Sequence, residues 1–164
     1  MIPNNFDILI PYKYTKYAHI SSLPVFLLSY SAYYYSERLL SFLAFITYIT
    51  TNLHWYKLKS SGFIREIDRF FVILTALRCY IAAYYGCYFY FYRYLYFTMV
   101  TFSIFLFNEY LNYKTLYKYH VFNSLTPYEK HCIYIRSCSI HMITLHVIQC
   151  SVGSFYLIYL YTPY

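Results

Sequence analysis

Five long, mostly apolar stretches constrain what this chain can fold into. A helix needs roughly 20 such residues to cross a bilayer, and stretches of that size lie at residues 17–35, 39–56, 68–85, 87–107 and 139–161. Hydrophobic types make up 60% of the 164 residues and charged types only 12%, whereas an average soluble domain carries about 25% charged residues. The sequence therefore predicts one integral membrane domain over residues 1–164, an all-α, polytopic transmembrane helical bundle of about five spans.

Local signals mark where some of these helices begin and turn. Gly86 separates the third and fourth spans and turns freely, which indicates a tight helical hairpin. Residues 108–138 are predicted to form a polar, amphipathic segment. Within it, Thr126, Pro127 and Glu129 have the spacing of a capping box with Pro at the first helical position. The last helix is therefore predicted to begin there and to become apolar from about residue 139.

The basic residues predict an orientation. The chain has 13 Lys and Arg. With five spans, two of them lie inside spans, Arg38 lies on one side of the membrane, and the rest lie on the side of the N-terminus. That larger group comprises Lys13, Lys16, Lys57, Lys59, Arg65, Arg69, Lys114, Lys118, Lys130 and Arg136. This asymmetry places the N-terminus on the cytosolic or matrix side. The net charge of +7 then indicates topology and contact with anionic membrane lipids, and no nucleic-acid partner is expected.

Two arginines, Arg78 and Arg93, lie inside spans at similar distances from Gly86. Three interpretations are open. Their long side chains can reach the headgroups beyond a Tyr-rich layer, they can hold an anionic lipid or substrate group between the third and fourth spans, or Glu37 can be their partner.

The most informative ionisable residues are His54, Asp68, His141 and His146. In the five-span arrangement they all fall on the basic side, at or near the ends of apolar segments. Because an ionisable side chain inside a span is costly, such a residue is by default a functional hypothesis.

These residues also carry a resemblance to a known superfamily. Thr50 and His54, followed by a basic loop and Asp68, are similar to the Ser-x-x-x-His and Asp signature of the CREST superfamily, which contains haemolysin III, the progestin and adipoQ receptors and alkaline ceramidases. His141 and His146 resemble that superfamily's histidine pair on the last helix. The similarity covers roughly residues 39–75 and 139–160.

The resemblance implies a specific chemistry. His54, His141 and His146 would hold a zinc ion, and the zinc-activated water would hydrolyse a lipid amide or ester. Asp68 would orient that water or act as general base, and Thr50 would hydrogen bond to either of them.

This chain departs from the superfamily pattern in three ways. The superfamily has seven spans and this chain five, Thr50 replaces a serine, and His141 and His146 are five residues apart instead of four. Five α-helical residues leave two side chains about 140° apart, against about 40° for four. One π-bulge would return both histidines to a common face. Without it, His146 and Cys150 are the better-aligned pair.

A structural interpretation of the same residues leads to another function. In it His54 is an interfacial residue beside Trp55, Asp68 caps the third helix, and the last two histidines bond Ser or Thr neighbours across spans. The chain would then be a non-catalytic accessory subunit of a membrane complex.

The location of such a subunit follows from composition. The 27 Tyr and 15 Phe suit an AT-rich genome, so the chain resembles accessory subunits of divergent mitochondrial genomes or membrane proteins of large DNA viruses. The membrane concerned would be the ER, another host membrane or the virion membrane, or the mitochondrial inner membrane. A transporter is disfavoured because paired Gly or Pro interruptions are absent from the sequence.

Overall fold

A computed structural model describes residues 10–56, 63–86, 88–116 and 118–161. These residues form helices and no strand, as predicted. The helices are α1 (Tyr12–Ser21), α2 (Leu23–Tyr34), α3 (Arg38–Tyr56), α4 (Phe63–Gly86), α5 (Tyr88–Thr115), α6 (Tyr119–Ser124), α7 (Pro127–His141), a π-helix (Met142–Gln149) and α8 (Cys150–Tyr161). Helix α3 lies between α2 and α4, α8 packs against α2, and the π-helix packs against α5.

The first predicted span, residues 17–35, is two helices. Helix α1 ends at Ser21 and α2 starts at Leu23 with Pro24 in its first turn. Proline has no N–H to donate to the carbonyl four residues earlier, and its ring crowds that carbonyl. A new helix therefore starts around Pro24, where a missing donor costs nothing.

The turn between α2 and α3 is a Schellman motif with a serine in the left-handed position. Ser36 has φ 64° and donates its N–H to the Tyr33 carbonyl at 3.1 Å, while Glu37 donates its N–H to the Ala32 carbonyl at 2.8 Å. These two bonds satisfy carbonyls that the end of a helix otherwise leaves without partners.

The hairpin predicted at Gly86 is confirmed. Helix α4 ends at Gly86 and α5 starts at Tyr88. The rings of Tyr80 and Tyr94 lie 5.2 Å apart and those of Tyr84 and Phe91 5.5 Å apart. From one pair to the next, the residue number increases on α4 and decreases on α5, as it does between two antiparallel helices.

Helix α5 continues past residue 107, where the fourth span was predicted to end, and reaches Thr115. Asn108 and Asn112 are 0% and 1% exposed and face α7. Asn112 donates to the Ser137 hydroxyl at 2.8 Å, and Asn108 donates to the Ser137 carbonyl at 3.3 Å. Both amide nitrogens thus have acceptors inside the bundle, so polar residues here do not end the helix.

The last helix begins with the predicted capping box. Thr126 is the N-cap and accepts a hydrogen bond from the Glu129 N–H at 3.3 Å, while Glu129 accepts one from the Thr126 N–H at 2.8 Å. Helices α7, π and α8 follow without interruption. At Gly153 an added Cβ would lie 3.3 Å from Leu28 Cδ1, so α8 and α2 approach closely there.

Among the residues that the structure describes, one helix, Pro127–Ile158, has the length and apolar composition to cross a membrane, with a mean hydropathy of 1.3 in its best window. The five-span arrangement and the side on which the termini lie stay predictions.

Buried polar side chains lie between two apolar clusters. Along α3, Leu40 and Ala44 belong to the first apolar cluster and Trp55 to the second. The first contains Leu28, Ala32, Leu40, Ala44, Cys79, Ala83, Tyr94, Tyr156 and Leu157, and the second contains Ile10, Ala18, Trp55, Leu116, Tyr134 and Cys138. The intervening polar layer consists of Thr47, Thr50, Thr51, His54, Asp68, Thr75, Thr144 and His146.

Candidate functional site

The π-helix brings the two histidines of the last helix face to face. Residues Met142–Gln149 are π-helical, with backbone hydrogen bonds between residues five apart, so side chains five residues apart lie on nearly the same face. The rings of His141 and His146 lie 5.3 Å apart at an interplanar angle of 89°. The local π-bulge that a common face requires is therefore present.

Trp55 is the side chain around which the three candidate imidazoles meet. Its ring lies 5.6 Å from the ring of His54, 4.8 Å from that of His141 and 6.3 Å from that of His146. Trp55 is 3% exposed, His54 9% and His146 5%, and Phe105 covers His141 at 5.5 Å. The bundle therefore gathers His54, His141 and His146, predicted as ligands from distant parts of the chain, at one buried point.

Asp68 is held by two hydroxyls of α3, the helix that also carries His54. Thr51 donates to Asp68 Oδ1 at 2.6 Å and Thr50 at 3.1 Å. His54 is one turn along α3 from Thr50, and side chains four residues apart are neighbours on a helix. Of the two partners that the resemblance implies for Thr50, the water and Asp68, the structure shows the hydrogen bond to Asp68, and Asp68 makes no hydrogen bond to an imidazole among the described residues.

Asp68 is not a helix cap. Helix α4 starts at Phe63, so Asp68 lies in its second turn, beyond the N–H groups that a cap satisfies. The interpretation of Asp68 as an N-cap is therefore wrong. The cause is that the helix extends through Arg65 and Glu66, which the sequence assigned to a polar loop.

The donor set suits zinc in chemical type. Zinc in proteins is commonly bound by imidazole nitrogens, often three of them with one position left open. His146 uses Nδ1 for a 2.9 Å hydrogen bond with Ser21 Oγ, which leaves Nε2 for a ligand. His54 and His141 make no hydrogen bond to any described residue, so their nitrogens are also available.

The rings do not yet converge on one atom. No group of three or more His, Cys, Asp or Glu side chains in the described ranges is already arranged to hold a metal ion. The three imidazoles are therefore of the ligand type that zinc binds and lie close together, but their rings would have to rotate to bind one ion. Cys150, the alternative partner of His146, packs against the first apolar cluster and donates to the Leu145 carbonyl at 3.5 Å.

The arginines within the predicted spans lie elsewhere in the bundle. Arg78 of α4 donates to the carboxylate of Glu37, the residue before α3. Of the three interpretations of Arg78, the structure shows this one. Arg93 lies near the start of α5 and interacts with neighbouring groups. Contact of Arg78 or Arg93 with a lipid or anion stays a prediction.

Sequence reasoning did not find the contribution of α1. Ser21 bonds to His146, and His19 Nδ1 lies 2.8 Å from Asn52 Oδ1. Asn52 in turn donates to Ser22 Oγ at 3.0 Å. The available signal was the presence of polar residues in apolar stretches, which does not say which ones meet.

Comparisons with known proteins add nothing to this geometry. No protein-family model, curated protein or solved structure matches the chain.

Proposed function

We propose that this chain is a multi-pass integral membrane protein that hydrolyses a lipid amide or ester at a zinc site made by His54, His141 and His146. The observation that carries the proposal is the meeting of these three imidazoles around Trp55. It depends on a π-helix that the five-residue spacing of the last two histidines requires.

The outer surface of the bundle supports a membrane environment. Large apolar side chains more than half exposed occur on α2, α3, α4 and α5: Leu27, Phe42, Ile73, Leu77 and Leu106. Apolar surface of this extent is unusual on a soluble monomer and marks contact with lipid or protein. Tyr scores as polar in hydropathy averages, which lowers the value for Tyr-rich helices such as α5.

The residues divide the chemistry between them. A zinc ion bound by the imidazoles would lower the pKa of its water to about 7 and polarise the scissile carbonyl. Asp68 is fixed through Oδ1 by Thr50 and Thr51, and Oδ2 receives no hydrogen bond from a described residue. Oδ2 is therefore the atom that would take the proton from water, and the two threonines keep the carboxylate in place while it does so.

Metal analysis of the detergent-purified protein tests the proposal. We expect about one zinc per chain in the wild type, and a near-zero content in His54→Ala and His146→Ala. His131→Ala is the matched control, because His131 is not one of the three candidate ligands and hydrogen bonds to Tyr14 Oη at 2.7 Å at an exposed site. Hydrolysis of a fluorescent lipid amide or ester should be lost in the same two variants. A wild type without zinc contradicts the proposal.

The second candidate is a non-catalytic subunit of a mitochondrial or viral membrane complex. It is supported by the bond between His146 and Ser21, because the structural interpretation expects the last histidines to bond serines or threonines of other helices. Stoichiometric co-purification with a larger membrane complex, together with zinc-free wild-type protein, would establish it.

A further inference from the structure

Ser21 makes two contacts through a single hydroxyl. Its Oγ donates to the Ala18 carbonyl at 2.9 Å and lies 2.9 Å from Nδ1 of His146. A serine hydroxyl has one hydrogen and two lone pairs. Because a carbonyl oxygen can only accept, the hydrogen of Ser21 points to Ala18.

The protonation state of His146 follows from this geometry. With its hydrogen directed to Ala18, Ser21 Oγ can only accept from His146, so both hydrogen bonds exist together only if Nδ1 carries the proton. In a neutral imidazole the other nitrogen then has the lone pair. The hydrogen bond at one ring nitrogen thus decides which nitrogen is available to a ligand.

We propose that Ser21 is a positioning residue that holds His146 as its Nδ1–H tautomer and so presents Nε2 to a cation. The part that concerns a cation rests on the proposed function, and the part that concerns the tautomer does not. Ser21 belongs to α1 and His146 to the π-helix, 125 residues later. One bond therefore joins the first described helix to the last and orients the ring across that interface.

The neighbouring serine supplies a matched control. Ser22 Oγ donates to the His19 carbonyl at 2.6 Å, the same kind of local bond that Ser21 makes. It also accepts from Asn52 and makes no hydrogen bond to His146. Ser22→Ala removes a buried hydroxyl at the same helix end without changing the histidine, and Ser21→Thr keeps a hydroxyl at position 21.

Two measurements test the inference. In metal-free protein labelled with ¹⁵N-histidine, the His146 resonances, identified by their loss in His146→Asn, should show a protonated Nδ1 in the wild type, in Ser21→Thr and in Ser22→Ala. Ser21→Ala should lose this preference. In a competition titration with a zinc chelator, Ser21→Ala should bind zinc about 10- to 100-fold more weakly, the usual effect of removing a group that orients a metal ligand.

The outcomes separate the two proposals. A wild-type His146 protonated at Nε2, or an unchanged tautomer in Ser21→Ala, overturns the inference. Equal zinc affinity in the wild type and in Ser21→Ala overturns the part of the inference that concerns the cation. A wild type with protonated Nδ1 that binds no zinc overturns the proposed function and the cation part of the inference, while the control of the tautomer by Ser21 stands.

Discussion

Asp68 shows how a single buried carboxylate is held in this bundle. Both hydroxyls that bond to it, from Thr50 and Thr51, reach the same oxygen, Oδ1. Thr50 also bonds to the Thr47 carbonyl at 3.1 Å, so its hydroxyl is shared. Thr51 makes the shorter bond and no other hydrogen bond among the described residues, which makes it the principal donor.

At this scale we expect Thr51→Val to destabilise the protein by about 1.5 to 3 kcal/mol, the usual range for a hydrogen bond to a charged group. Thr50→Val should cost less, because that hydroxyl divides its hydrogen between two acceptors. Unfolding of the detergent-solubilised protein by denaturant measures both. Thr51→Ser keeps the donor and should stay near the wild type, and an equal loss in Thr51→Ser would show that the methyl group, not the bond, is responsible.

Contacts between residues close in the sequence could be predicted, and contacts between distant residues could not. Thr50 and His54 share a helix face because they are four residues apart, and the resemblance gave Asp68 as one of two possible partners for Thr50. The bond between Ser21 and His146 joins residues 125 positions apart. No local periodicity encodes such a contact, since it depends on how α1 packs on the last helix.

The π-helix is the element on which the candidate site depends. A π-bulge amounts to one residue inserted into an α-helix. The insertion here lies between the second apolar cluster, which contains Cys138, and the first, which contains Tyr156. The insertion rotates the helix after it relative to the helix before it, so that both Cys138 and Tyr156 point into the bundle.

Deleting an exposed residue of the π-helix tests whether it contains one inserted residue. Ile143 is 53% exposed, and its deletion should convert the π-helix to an α-helix and leave the two histidines four residues apart on one face. We expect ΔIle143 to unfold at the wild-type temperature or above and to keep its zinc, as measured by circular dichroism and metal analysis.

A deletion in the regular helix is the control. Ile135 is also exposed, at 46%, and lies between Tyr134 and Cys138 of the second apolar cluster. Its deletion rotates one of these two by about 100° relative to the other, so ΔIle135 should unfold at a clearly lower temperature. Equal destabilisation by the two deletions would show that residues 142–149 do not hold a removable insertion.

Element boundaries were predictable where a local chemical signal exists. The capping box at Thr126 and the turn at Gly86 are such signals, and both are confirmed. The extension of α5 was not predictable, because Asn108 and Asn112 read as polar surface residues until Ser137 is placed beside them. The break at Ser22 is caused by Pro24. It was not predicted, because a proline can either begin a new helix or kink a continuous one.

For the whole molecule, the arrangement of spans is the central prediction. The five-span arrangement puts the turn at Ser36 on the side opposite the N-terminus. If only Pro127–Ile158 crossed the membrane, Ser36 and the N-terminus would share a side. The two arrangements agree on the C-terminus, so position 36 distinguishes them.

Labelling at position 36 provides the measurement. In a variant without the native cysteines, Ser36→Cys should react with a membrane-impermeant maleimide from the side opposite an N-terminal epitope tag, and the tag should be cleaved by protease from the basic, cytosolic or matrix side. The variant Lys16→Cys should react from the same side as the tag and serves as the control. Reaction of both positions from one side would contradict the five-span arrangement.

The polar layer has a mechanical consequence for the bundle. Thr47 of α3 bonds Thr75 of α4 at 2.8 Å, and Thr51 of α3 bonds Asp68 of α4 at 2.6 Å. Sliding α4 along α3 by one helical turn, about 5.4 Å, would break both bonds at once, and all four side chains are buried. The pair α3–α4 is therefore stiff against axial sliding. Motions that open a path to the imidazoles while keeping these bonds would instead displace an element outside this pair, such as α1, α5 or the π-helix.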